Sequence, residues 1–282
     1  MTPIPSRFRG FQKSVSGLVA VLALGLLAAP ALAQEAPGQG EDEEEVWSFL
    51  RKELFQDRTI TEGESVVDLT APYRAQDPAM VPLSIQEKLP ADSDRRIEKM
   101  WLIIDENPSP MTAKLHFESP RARANLSTRV RVATYSNVRV IAETADGELF
   151  MDKEFVKATG GCSAPVPGDL KEAKRHMGQM RMRIRERSEG WQAPWTLQVQ
   201  IRHPNITGLQ KDPITHLRPQ PHYVRKVRVS YGGETMLWAE TTFGLSENPS
   251  IRFDLVPGGP GDLRIVAEDT ENNRFHKTLA LQ

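Results

Sequence analysis

One residue stands out for the chemistry that it offers: Cys162 is the only cysteine in the chain. It lies in the stretch TGGCSAP, residues 159–165, directly after Gly160 and Gly161. A thiolate is a nucleophile that can form mixed disulfides and persulfides. Two glycines add no packing side chains and leave the backbone wide conformational freedom. We therefore expect an exposed thiol, with a pKa lowered by the basic residues that follow it, which alkylates faster than a free cysteine.

A single thiol can serve in several ways. It can be a small buried apolar residue, form an intermolecular disulfide, or hold a sulfur-bound cargo. A Cys/His hydrolase is disfavoured, because its nucleophile must be rigidly preorganised beside a base. The pattern favours carriage, with the cargo attached to Cys162, Gly160 and Gly161 as the hinge of the arm, and no catalytic residue.

The histidines could bind a metal, since His203, His216 and His222 are close in sequence. Their spacing is loose, however, and no cysteine or carboxylate pattern joins them. A phosphate-binding loop, a dinucleotide fingerprint and a haem-attachment motif are also missing from the sequence. We therefore expect no metal, no cofactor and no enzymatic activity. The formal net charge of −1 gives no reason to expect a nucleic-acid partner.

The first 33 residues have the pattern of a secretory signal. A basic segment with Arg7, Arg9 and Lys13 precedes the apolar run SGLVAVLALGLLAAP, and ALA, ending at Ala33, is a small-residue cleavage site. A retained membrane anchor is the alternative, because the run is close to the minimum spanning length. With cleavage, the mature chain has no membrane segment and enters an oxidising compartment, where a disulfide-linked dimer through Cys162 could form.

The rest of the chain predicts an all-β protein with two sandwiches. After an acidic linker, residues 34–45, a short helix from Val46 opens a first domain, residues 46–158, with seven short strands and a hairpin turn at Asp146-Gly147. Residues 190–282 form the second domain, whose hairpin turns at Gly232-Gly233 and whose stretch TLQVQIR alternates strictly.

Between the domains, residues 159–189 predict the arm followed by a short basic linker helix. Apolar residues recur there at helical spacing, from Leu170 through Met177 to Ile184. The basic residues of this stretch are Lys171, Lys174, Arg175, Arg181, Arg183, Arg185 and Arg187. We interpret the helix as a linker that packs its apolar stripe on a neighbouring domain; binding to an acidic surface or a membrane is the alternative.

Several stretches resemble the subunits of a known sulfur carrier. DENPSPMTAKLHF, STRVRVATYSNVRVIAETADGELF and VKATGGCSAP resemble SoxY, the carrier subunit of periplasmic thiosulfate oxidation, and IRHPNITGLQKD, PHYVRKVRVSYGGE, LSENPSIRFDL and GDLRIVAEDTENN resemble its partner SoxZ. They occur in the order SoxY then SoxZ, over about residues 60–280. The arrangement is similar to fused SoxYZ-like carriers associated with quinoprotein alcohol dehydrogenases.

The resemblance implies two packed immunoglobulin-like sandwiches and a periplasmic carrier that holds a sulfur-containing or other thiol-reactive intermediate on Cys162. It implies partners among periplasmic redox enzymes, either Sox-type enzymes or a quinoprotein dehydrogenase and cytochrome system. A non-catalytic module that docks such a dehydrogenase or cytochrome is the alternative.

The sequence departs from the family at three points. The arm continues beyond Cys162 instead of ending the chain, Ser163 and Ala164 replace its last two glycines, and the second domain has HPNITG where the family usually has methionine and glutamate after His-Pro.

Overall fold

The computed structural model describes residues 39–90, 93–165, 170–211 and 216–282. The predicted signal segment and the first part of the predicted acidic linker therefore lie outside the described residues. Neither helix in the described ranges is long and apolar enough to cross a bilayer.

Short β-strands fill the first half of the chain, as its β-branched and apolar residues predict. The helix α1 (Gln39–Phe55) precedes them and begins earlier than the predicted start at Val46. The strands are β1 (Ile60–Glu62), β2 (Val67–Thr70), β3 (Val81–Glu87), β4 (Ile97–Ile104), β5 (Met111–Phe117), β6 (Ala122–Val130), β7 (Ser136–Thr144) and β8 (Leu149–Val156). The predicted turn joins β7 to β8, and Gly147 there has the positive φ, 83°, that a tight hairpin favours.

The second half is also built of strands. Its elements are α2 (Leu170–Arg175), β9 (Met180–Arg187), β10 (Trp195–Ile201), β11 (Val224–Tyr231), β12 (Glu234–Thr241), β13 (Ser250–Leu255), β14 (Gly261–Asp269) and β15 (Arg274–Leu281). Gly232 and Gly233 form the predicted turn between β11 and β12, with φ of 58° and 88°.

The basic linker helix ends much earlier than its apolar spacing suggested. The helix α2 stops at Arg175, and the residues from Met180 onward form β9, which pairs antiparallel with β10. Within MRMRIRER the apolar residues also alternate with arginines, and this period of two matches a strand. The pairing of Met182 with Val199 joins β9 to the edge of a six-stranded sheet. The expectation that Met180 and Ile184 lie on a helix is therefore wrong.

Two sheets run through both halves of the chain. One has nine strands in the order β1-β8-β7-β4-β5-β12-β11-β14-β15, and the other has six in the order β2-β3-β6-β13-β10-β9. The halves meet by antiparallel pairing of β5 with β12 in the first sheet and of β6 with β13 in the second. Backbone hydrogen bonds therefore join the halves in addition to apolar packing, and the described residues belong to one compact unit.

The main core lies between the two sheets, and burial follows the alternation of each strand. In β10, Trp195, Leu197, Val199 and Ile201 are buried while the residues between them are half-buried. A second cluster forms where Trp47 and Phe55 of α1 pack against β4, β7 and β8. This architecture confirms the predicted all-β fold of immunoglobulin-like sandwiches with a thiol-bearing arm and a short basic helix.

Candidate thiol site

The arm that carries Cys162 begins where β8 ends and is docked against the first half of the chain. The backbone N–H of Gly160 donates to the carbonyl oxygen of Ala133 at 2.7 Å, and that of Gly161 donates to Val132 at 2.9 Å. Strand-like hydrogen bonds therefore hold the two residues directly before Cys162.

Docking buries the thiol. Cys162 is only 2% exposed, and burial raises its pKa to about 11, since a low-dielectric environment disfavours the thiolate. The cation that counteracts this rise is Arg131, not the basic residues that follow Cys162 in the sequence. The expectation of an exposed thiol with a lowered pKa is therefore wrong for the docked arm.

The two glycines are needed in the docked arm for geometric reasons. Gly160 has a φ of 86°, which residues with a Cβ rarely adopt. A Cβ on Gly161 would lie 2.0 Å from the carbonyl oxygen of Pro78 and 2.6 Å from that of Val132. Gly161 thus permits a close backbone approach that seats Cys162. The hinge role of these glycines stays a prediction about the released arm.

Arg131 lies directly beneath the arm. Its side chain is buried, its Nη1 donates to the carbonyl oxygen of Gly161 at 3.3 Å, and its Nη2 donates to that of Asn205 at 3.5 Å. Both hydrogen bonds are long, and Nε has no partner among the described residues. Desolvation lowers the pKa of this guanidinium, with charge interactions from Cys162 and Glu247 in opposition. A buried, incompletely satisfied cation therefore lies close to the thiol.

A loop of the second half, residues 203–208, completes the seat of the arm; we call it the seat loop. The hydroxyl of Thr207 lies 2.7 Å from the carbonyl oxygen of Cys162 and 2.8 Å from Gln210 Oε1, the two acceptors for its one hydrogen. The same hydroxyl accepts a hydrogen bond from Leu209 N–H. The seat loop is the HPNITG stretch, one of the points at which the sequence differs from the family that it resembles. The second half of the chain therefore holds the arm of the first half.

Asn205 fixes the shape of the seat loop. It has a φ of 43°, an unusual value that asparagine tolerates better than most residues. Its amide Nδ2 donates to the carbonyl oxygens of Leu245 and Ser246, each at 3.2 Å, and its Oδ1 accepts from Val224 N–H. The loop is thus tied to the sheets by buried hydrogen bonds.

Two of the three histidines considered as metal ligands meet at the start of the seat loop, of which His203 is the first residue. His203, His222 and Asp269 are all buried, and their candidate ligand atoms lie within 4.8 Å of one another. Burial lowers the pKa of His203 to about 4, with a further contribution from His222. His216 is exposed and lies outside this cluster.

The hydrogen bonds of the cluster do not fit a metal site. Asn205 N–H donates to His203 Nδ1 at 3.0 Å, so the proton of neutral His203 is on Nε2, the atom that faces Asp269. A ligating histidine normally donates from its second ring nitrogen instead. Asp269 already accepts hydrogen bonds from the backbone N–H groups of Glu271 and Asn273, from the Asn273 amide and from His222 Nε2 at 2.8 Å.

Burial opposes ionisation of Asp269, but hydrogen bonds from Asn273 and His222 hold its pKa below the usual value. The arrangement is therefore a buried carboxylate with its hydrogen-bonding capacity filled, which supports the start of the seat loop.

Sequence reasoning identified the thiol but not the residues that surround it. Arg131 and Thr207 contact the arm but lie far from Cys162 in sequence, and no motif that carries chemistry joins them to it. The departure at HPNITG was the one sequence signal that pointed to the seat loop.

Two family models match the chain one after the other. The model of sulfur oxidation protein SoxY matches residues 51–162, and that of sulphur oxidation protein SoxZ matches residues 182–280. The first match ends at Cys162, and the second begins within β9. A search of curated proteins gave no match.

Three of the solved structures that are similar to this chain show a distant likeness. A superoxide reductase (neelaredoxin) variant from Ignicoccus hospitalis is 14% identical with a TM-score of 0.31, covering 37% of this chain and 96% of its own. A putative superoxide reductase from Thermotoga maritima is 10% identical with the same TM-score and the same coverage. A β-glycosidase from Bacteroides vulgatus is 9% identical with a TM-score of 0.23, covering 83% of this chain and 26% of its own. At these TM-scores the likeness carries no functional argument.

Proposed function

Because the chain belongs to the SoxY and SoxZ families, joined in that order in one polypeptide, we propose that it is a non-enzymatic covalent carrier of the periplasm. It holds a sulfur-containing intermediate on Cys162 and presents it to partner enzymes. The families support a carrier role in sulfur oxidation; the attachment residue, the compartment and the partners are the finer parts of the proposal.

The observation that carries the proposal is the position of Cys162. The only cysteine of the chain is the residue at which the SoxY match ends, and it lies on an arm between the two halves of the protein. A released Cys162 thiolate can attack a disulfide or persulfide of a donor. One S–S bond forms as another breaks, and the donor leaves as a thiolate, so the exchange consumes no external oxidant.

The docked arm must open before such an exchange. Opening breaks the hydrogen bonds of Gly160, Gly161 and Cys162 to their seats, and it exposes the thiol to water. Outside its seat the thiol escapes the burial that raises its pKa, so the thiolate becomes accessible near neutral pH. The docked state thus protects the thiol in an oxidising compartment, and the open state reacts.

Burial of the thiol also favours a second candidate, a non-catalytic module that docks a quinoprotein dehydrogenase or a cytochrome. In that case Cys162 is a packing residue at the junction of the halves, with its 2% exposure as the supporting observation. The two candidates differ in whether Cys162 forms adducts.

Mass spectrometry of protein purified from the periplasmic fraction without reductant tests the proposal. We expect a discrete sulfur adduct on Cys162 that reductant removes, and mature protein that begins after Ala33. In a deletion strain, Cys162→Ser should fail to restore function at normal abundance, while the neighbouring exposed Ser163→Ala should restore it. Full restoration by Cys162→Ser would refute carriage and leave the docking module. A disulfide-linked dimer would appear as a doubled mass on a non-reducing gel.

A further inference from the structure

The outer face of the six-stranded sheet bears a strongly basic groove of about 810 Å³. Strands of both halves line it, so it exists only because β6 and β13 pair. Its arginines are Arg129, Arg181, Arg183, Arg185 and Arg252, and we call it the arginine groove.

The lining of the arginine groove itself contains no carboxylate, although Glu247 interacts electrostatically with Arg129, and Glu186 and Asp254 line the adjoining part of the same face. Within the described ranges none of its arginines forms an ion pair with a carboxylate. The whole chain has a formal net charge of −1. Five guanidinium groups are therefore concentrated on one face of a protein that has no overall excess of positive charge.

The register of the strands spaces most of these charges. Arg181 and Arg183 alternate along β9, about 7 Å apart, and Arg185 follows where the pairing with β10 shifts register. Arg252 lies in the same cross-strand row as Arg183, with only β10 between their strands, so their backbones are about 10 Å apart. A single small oxyanion is too short to span this array, whereas alternate side chains of an extended peptide have the same spacing of about 7 Å.

Amide and hydroxyl side chains line the surface between the arginines, and some of them are already joined by hydrogen bonds. Gln198 accepts from Arg185 Nε at 2.5 Å and donates to Ser250 at 2.7 Å, while Gln200 lies beside it on the same face. Amide and hydroxyl groups can pair with peptide groups, and guanidinium groups match carboxylates bidentately.

We propose that the arginine groove docks an extended acidic segment of a partner protein. The groove extends to Arg129, two residues before the Arg131 that lies under the arm. A partner docked there is brought close to the seat of Cys162. This inference adds a docking surface to the proposed carrier, but binding in the groove does not itself require the thiol.

The proposal is tested by titrating a synthetic peptide into the protein and measuring its affinity by isothermal calorimetry. The probe is a ten-residue peptide in which glutamate alternates with serine, and its control has glutamine at the same positions. We expect the acidic peptide to bind, to bind more weakly as salt rises, and to lose roughly tenfold in affinity in Arg181→Gln/Arg183→Gln. The matched double variant Arg228→Gln/Arg264→Gln, on exposed positions of the other sheet, should bind as the parent does.

Equal binding of the two peptides, or an equal loss of affinity in both double variants, would overturn the proposal. The arginines would then serve to prevent the edge strand β9 from pairing with strands of other molecules. Tighter binding of sulfate or of phosphatidylglycerol vesicles than of the acidic peptide would also overturn it. Arg252→Gln, on another strand, replaces the β9 variant if that variant fails to fold. Cys162→Ser should keep full peptide affinity, so failure of carriage and failure of docking are distinguishable.

Discussion

The seat of the arm makes a quantitative prediction for the reactivity of Cys162. The described contacts that hold the arm are the hydrogen bonds of Gly160 and Gly161 N–H, the bond from Thr207 to the Cys162 carbonyl, and the longer bond from Arg131. At about 1 kcal/mol net for each bond, opening costs about 4 kcal/mol. The open arm is then populated at about one molecule in a thousand.

Because the docked thiol is buried, alkylation proceeds through the open arm. We expect native Cys162 to react about a thousand times more slowly than glutathione at pH 7.5, and to reach the ordinary rate in denaturant. Replacement of Thr207 by valine keeps the volume but removes the donor to the Cys162 carbonyl. The docked state should lose about 1 kcal/mol, and alkylation should become about fivefold faster.

The assay is the rate of alkylation by iodoacetamide under native conditions, beside thermal melting of each variant. Thr207→Ser is the control, since it retains the hydroxyl and should react at the parent rate. If native Cys162 reacts within threefold of glutathione, the arm is not docked in solution. If Thr207→Val reacts like the parent, the hydroxyl does not hold the arm.

Three further predictions concern the arm and the seat loop. Gly161→Ala should accelerate alkylation by roughly thirtyfold or more, because the added Cβ would lie 2.0 Å from the Pro78 carbonyl oxygen and overpacking costs about 2 kcal/mol. The control Ser163→Ala should leave the rate unchanged. An unchanged rate in Gly161→Ala would contradict the prediction. Burial raises the pKa of the docked thiol to about 11, whereas the open thiol has a pKa of about 8.5. The preference for the docked state is therefore complete below pH 8.5 and is lost as pH rises towards 11. The alkylation rate should keep rising above about pH 9, where that of glutathione levels off. Because the pKa of His203 is lowered to about 4 in the folded protein, the unfolded chain binds more protons than the folded one below pH 6.5. The melting temperature should therefore fall between pH 6.5 and pH 4, and His203→Asn should flatten this fall. An identical pH profile in the variant would show that His203 does not cause it.

Local chemistry in the sequence determined much of the fold. The alternation in TLQVQIR predicts the burial of Leu197, Val199 and Ile201, because a strand with one face on a core has a period of two. The hairpins at Gly147 and at Gly232-Gly233 follow from the positive φ that their turns require. The single cysteine after two glycines identified the candidate thiol.

Where two periods coexist, the sequence alone could not decide the structure. Residues from Leu170 to Ile184 satisfy a helical spacing, while MRMRIRER also satisfies a strand. Pairing with β10 gives β9 backbone hydrogen bonds along one edge and a buried place for Met180, and this long-range gain outweighs local helix propensity.

The environment of Cys162 was decided by tertiary structure alone. Two glycines allow a flexible arm and a tightly packed one equally well, since the absence of a Cβ permits both free rotation and close approach. The choice depends on the Pro78 carbonyl, on Arg131 and on Thr207. These residues lie from 31 to 84 positions away from Cys162 in sequence, and only the tertiary structure brings them to the arm. Burial, and with it the raised pKa of the thiol, is therefore a property of non-local contacts that no short stretch of sequence encodes.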